Sequence, residues 1–172
     1  MVLDSEELVK YRKHPRVLEV RFLLFYNMLE KEFGYEQTIR LIQSICSSFN
    51  CNMVFLQGII NKRFDIQKSR REFTMWRQEV VFTCTCYGES TYKIAQDHFN
   101  INPSSLYQQP KYNINNFCNN EWLEKLDNRV TLCGQASYRL EVIRFFEVVD
   151  MLMTILEKWR GGKKWQDFFI KN

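Results

Sequence analysis

Residues that break regular structure are scarce in this chain: three prolines and six glycines among 172 positions leave little room for linkers or a disordered tail. Alanine occurs only as Ala95 and Ala136, whereas Asn, Phe, Ile, Lys and Tyr are plentiful. That skew suggests an AT-rich coding genome, as in some bacteria and many phages. Histidine is limited to His14 and His98, and no two cysteines stand at C-x-x-C spacing, so no zinc site is expected. The sequence also lacks a phosphate-binding glycine loop, a nucleophile elbow and a dinucleotide fingerprint. With the carboxylates expected on exposed helix faces, neither catalysis nor a cofactor is expected. The most apolar segments, 17–29 and 140–156, are interrupted by Arg21 and by Arg144, Glu147 and Asp150, which argues against a membrane span.

What is present is the composition of a folded chain, with 45% hydrophobic and 15% aromatic residues and enough length to bury a core. The net charge of +4 is too mild to name a partner, but its distribution is uneven. Lys62, Arg63, Lys68, Arg70, Arg71 and Arg77 fall within sixteen positions against only Asp65 and Glu72, and Lys158, Arg160, Lys163 and Lys164 form a second cluster. Six cysteines with no secretory segment ahead of them read as reduced thiols in the cytoplasm.

Apolar positions recur at spacings of three and four in nearly every segment, which predicts an all-α fold, a multi-helix bundle. A short helix at 4–13 precedes one that begins at Pro15 and stops at Gly34, with Leu18, Phe22, Phe25, Met28 and Leu29 as its apolar band and Val17, Leu24 and Phe33 widening it. Helices follow at 36–49 and at 52–64, the latter with Val54, Phe55, Ile59 and Ile60 inward. The basic residues 67–71 then form a loop held between two helices. A helix at 69–87 carries Phe73, Trp76, Val80, Cys84 and Tyr87 on one buried stripe and Arg70, Thr74 and Arg77 on another face, ending at Gly88. Only 80–86 offers a competing strand signal. Further on, 121–127 brings Trp122, Leu123 and Leu126 to a core, and a long helix at 137–159 does the same with Leu140, Ile143, Phe146, Val149, Met153 and Leu156.

The stretch 69–112 carries the functional signal. Two short helices, at 90–99 and from 102, are joined by Asn100, Ile101 and Asn102, the spacing of a helix-turn-helix. Asn102 and Pro103 are a strong helix start. The second helix would display Ser104, Ser105, Gln108 and Gln109, hydroxyls and amides that suit base edges and phosphates alike. The organisation expected is a helical scaffold at 1–51, a DNA-binding region at 52–117 and a C-terminal helical region at 118–172 packing on the core.

Residues 52–117 resemble the C-terminal DNA-binding domain of the bacterial replication initiator DnaA, a helical fold of the Trp repressor type. The features that match are the apolar helix at 54–60, the turn at 64–66, the basic Lys68, Ser69, Arg70 and Arg71, the Arg77-Gln78 pair, Ile94 and Phe99, and Lys111 followed by Ile114. At the start of the reading helix the chain departs from that family, with Asn102, Pro103, Ser104, Ser105 and Leu106 in its place and with Pro110 beyond. The resemblance implies minor-groove or phosphate roles for Arg70 and Arg71, a phosphate role for Arg77 and major-groove contact by Ser104 and Ser105. Lys68, Gln108 and Lys111 complete the expected DNA-facing set, and double-stranded DNA is the expected partner. The competing expectation is a helical interaction or virion-assembly protein that meets a protein partner, or itself, through Trp165, Phe168 and Phe169.

Overall fold

The computed structural model describes residues 5–48, 53–88, 119–129 and 146–151. Among the described residues the fold is all helical and contains no strand. Helix α1 (Ser5–Lys10) runs into a 3-10 turn (Tyr11–Lys13). It is followed by α2 (Pro15–Phe33), α3 (Tyr35–Ser48), α4 (Met53–Lys68), α5 (Arg70–Cys86) and α6 (Asn120–Asp127). A final helical stretch covers 146–151.

Local chemistry sets the breaks. His14 is extended and accepts the Arg16 N–H on its Nδ1, so an imidazole caps α2 while Pro15 supplies a first-turn residue with no donor to satisfy. The same ring then carries its proton on Nε2, 2.7 Å from Asp127 Oδ1, which ties the start of α2 to the end of α6. Gly34 ends α2 at φ 82° and ψ 168°, a region open essentially to glycine. The Asn119 side chain accepts the Trp122 N–H at 2.9 Å and starts α6.

Helix α2 is the axis of the fold and packs on α3, α4 and α5. Every residue from Glu19 to Tyr26 is buried, so for two turns the helix has no solvent face. The outer helices are one-sided by contrast: α3 buries Thr38, Ile42 and Cys46 and exposes Arg40, Gln43, Ser44 and Ser47. Rings join the rest to this core. Phe82 of α5 meets Tyr11 edge-on at 5.8 Å and Trp122 at 6.1 Å, and Phe22 meets Phe146 at 6.1 Å.

Several expectations hold in the described residues. Trp76, Val80 and Cys84 are buried, 80–86 is helix rather than strand, and Trp122, Leu123 and Leu126 face the core. Others need correction. Val54 is 77% exposed, with Leu56 taking the inward place beside Ile59 and Ile60. Phe73 is 44% exposed, although Trp76, three positions on, is buried. The basic segment 67–71 is no loop: α4 continues to Lys68 and only Ser69 separates it from α5. Glu19 and Glu79, expected on exposed faces with the other carboxylates, are fully buried. The expected helix pair at 90–112, most of the helix at 137–159 and the aromatic tail at 165–169 lie outside the described residues.

Candidate nucleic-acid interface

The joint between α4 and α5 builds the candidate site. Ser69 is extended (φ −132°, ψ 133°), and its hydroxyl accepts the Glu72 N–H at 3.3 Å, which caps α5. With a single residue in the joint, Arg70 and Arg71 become the first residues of the helix, and both are exposed, as is Lys68 just before it. An open groove of about 410 Å³ is lined by Arg70, Arg71, Thr74, Met75 and Gln78. Among the described residues that line it, the polar groups are guanidinium, hydroxyl and amide, and none is acidic.

Arg77 stands two turns beyond Arg70 and is half-buried, with its guanidinium 5.5 Å from the centre of the Phe73 ring. The exposure of Phe73 thus has a partner on its own helix. Lys68, Arg70 and Arg71 are brought together at one joint, and Arg77 follows on the same helix behind its ring. Ser104, Ser105, Gln108 and Lys111 are outside the described residues.

Behind this surface lies a chain of charges that sequence reasoning did not anticipate. Arg16 of α2 grips Glu79 of α5 with two prongs, Nε to Oε2 and Nη2 to Oε1 at 3.1 Å, and reaches Glu19 through Nη1 at 3.0 Å. Arg129, just past α6, donates Nη2 to Glu79 Oε1 at 3.1 Å and both terminal nitrogens to the Glu72 carboxylate at 3.1–3.2 Å. Burial by itself lowers the pKa of Arg16, but the charges and hydrogen bonds of Glu79 and Glu19 more than offset this and hold it above its ordinary value. The guanidinium is therefore charged at every accessible pH.

A cleft of about 350 Å³ opens beside the network, lined by Arg16, Lys62, Glu72, Asn128 and Arg129 over Leu23 and Ile66. Among the described residues Arg16 and Arg129 pair with Glu19, Glu72 and Glu79 while Lys62 lines the same cleft, so cations and carboxylates balance there. A balanced set gives fixed geometry and little net field. It can order helices but offers an anion far less than the exposed joint does. One signal for it is readable in the sequence: Arg16 and Glu19 stand three apart on a helix, and Glu72 and Glu79 seven apart, so each pair shares a face.

On another side of α2, the Tyr87 ring at the end of α5 lies between two guanidiniums, Arg12 at 4.8 Å and Arg21 at 4.2 Å from its centre. Arg12 also donates to the Cys86 carbonyl at 2.7 Å, and Arg21 is 3.5 Å from Asp150. Burial first, then the charge of Asp150, push the Tyr87 hydroxyl up to about 12 against the opposing pull of Arg21 and Arg12. These contacts close the C-terminal end of α5, so both ends of that helix are fixed by arginines from elsewhere in the chain.

Comparison with family models, with curated proteins and with solved structures gives no match to this chain.

Proposed function

We propose that this chain is a non-catalytic DNA-binding protein of a bacterium or its phage, acting in the cytoplasm without a cofactor. In this reading Lys68, Arg70 and Arg71 at the head of α5 grip the phosphate backbone or the minor groove. Arg77 adds a phosphate contact. The segment from 102 forms the second helix of a helix-turn-helix and turns Ser104, Ser105 and Gln108 to the major groove, with Lys111 on the backbone.

The carrying observation is the placement of Arg70 and Arg71, exposed, on the first two positions of a helix. The helix N-terminus already bears partial positive charge, so a cation there is unfavourable by about 0.3–1 kcal/mol. Glu72, the acid in that turn, has its carboxylate engaged by Arg129. A phosphate is the ligand that relieves this concentration of charge, and guanidiniums bind it with two parallel N–H donors.

The test is fluorescence anisotropy of labelled duplexes against salt for the parent and for Arg70→Ala and Arg71→Ala. Removing one phosphate-binding guanidinium should lower the log–log salt slope by about 1 and weaken random and selected duplexes alike. A folded parent that binds no duplex at low salt overturns this function and favours the helical interaction or virion-assembly alternative.

A further inference from the structure

We propose that Arg129 is a positioning residue for the DNA-contacting head of α5, one that also screens the basic surface from the carboxylate of Glu72. The inference rests on the DNA-binding reading for its consequence and on the geometry alone for its mechanism.

A serine cap with a glutamate three residues later is the spacing of a capping box, in which the glutamate folds back to the cap's own N–H. Ser69 and Glu72 have that spacing, yet the Glu72 carboxylate is turned to Arg129, which holds it with both terminal nitrogens at 3.1–3.2 Å. The same guanidinium reaches Glu79 at 3.1 Å. Glu72 and Glu79 are two turns apart on one face of α5, so one planar fork bridges the leading end of the helix to its anchored middle. Glu79 is fully buried and fixed in turn by Arg16 of α2. The first turn of α5 is thereby tied to the central helix through a residue 57 positions downstream of Glu72.

Two effects follow from one contact. The direction in which Arg70 and Arg71 leave the joint is set by a rigid connection to the core. The only carboxylate in that turn is neutralised where it would otherwise oppose an incoming phosphate. Freed, it would stand one position from Arg71 at the exposed joint.

The experiment uses the full chain and the variants Arg129→Gln, Arg129→Lys and Arg129→Gln combined with Glu72→Gln, each checked for folding by circular dichroism. Without DNA, amide exchange at residues 72–74 should quicken about tenfold in Arg129→Gln while the second half of α5 stays protected. Unchanged exchange there overturns the positioning role whether or not the protein binds DNA. With DNA, Arg129→Gln should weaken duplex binding about threefold, the scale of one unscreened charge near the surface. Adding Glu72→Gln should recover most of that loss, which a general folding defect would not allow. Arg129→Lys, which keeps the charge without the fork, should screen Glu72 but leave exchange fast. Failure of the second substitution to restore affinity overturns the screening role. Absence of duplex binding by the parent overturns the DNA-binding reading instead, with the exchange result still deciding whether Arg129 positions α5.

Discussion

Arg16 and Glu79 are 63 residues apart in sequence and meet as a two-pronged ion pair in the core, where Glu79 is wholly shielded from solvent. The pair joins α2, the central helix, to the middle of α5, the helix that carries the proposed interface. Burying two charges is expensive, and their attraction compensates only when geometry and further hydrogen bonds are good. Here Glu19 and Arg129 supply those further bonds.

Removing one member and removing both should therefore depart from simple addition. Glu79→Gln leaves Arg16 and Arg129 without their shared carboxylate and should destabilise the fold by about 3–5 kcal/mol. Arg16→Met combined with Glu79→Leu should cost less than the sum of its single substitutions, with a coupling of about 0.5–3 kcal/mol. Urea denaturation of the parent, the two single variants and the double variant measures this, and strict additivity would show that the pair is not energetically joined.

Gly34 tests a different kind of constraint. A Cβ placed there would meet nothing within 4 Å, so any cost of Gly34→Ala comes from the backbone alone. At φ 82° and ψ 168° that cost should be about 1–3 kcal/mol. A melting curve that does not move would mean that the turn between α2 and α3 relaxes into another conformation without loss.

Tyr87 provides a pH dependence with a definite sign. Its hydroxyl is pushed up to about 12, above the ordinary tyrosine value of 10, so the folded state holds this proton more tightly than the unfolded one. The contribution to stability is complete below pH 10 and is lost as pH rises through about 12. Ultraviolet titration of the tyrosinate band should show a late step that disappears in Tyr87→Phe. If that variant keeps the late step, the group responsible is another tyrosine and the ring between Arg12 and Arg21 is not the protected one.

Much of the helical framework is legible without tertiary information. Pro15, Gly34 and Gly88 mark helix ends through backbone restrictions that need no partner, and the 3.6-residue recurrence of Trp76, Val80 and Cys84, or of Trp122, Leu123 and Leu126, identifies inward faces. The α4–α5 joint reads as a loop in the sequence because a run of basic residues resembles a solvated connection. The Ser69 to Glu72 spacing, which signals a helix start at once, is the better guide.

Among the described residues, sequence by itself determined which segments are helices and where most of them stop, since those choices depend on the dihedral limits of single residues and on apolar spacing within one turn or two. Tertiary structure alone decided how far each apolar face is covered. Phe73 and Trp76 share a stripe, yet Trp76 is buried and Phe73 is 44% exposed. It also decided the fate of the charges. Whether Glu79 can be buried depends on guanidiniums 63 and 50 positions away, and long-range pairing of that kind leaves no local pattern, because its energy exists only once the helices have packed.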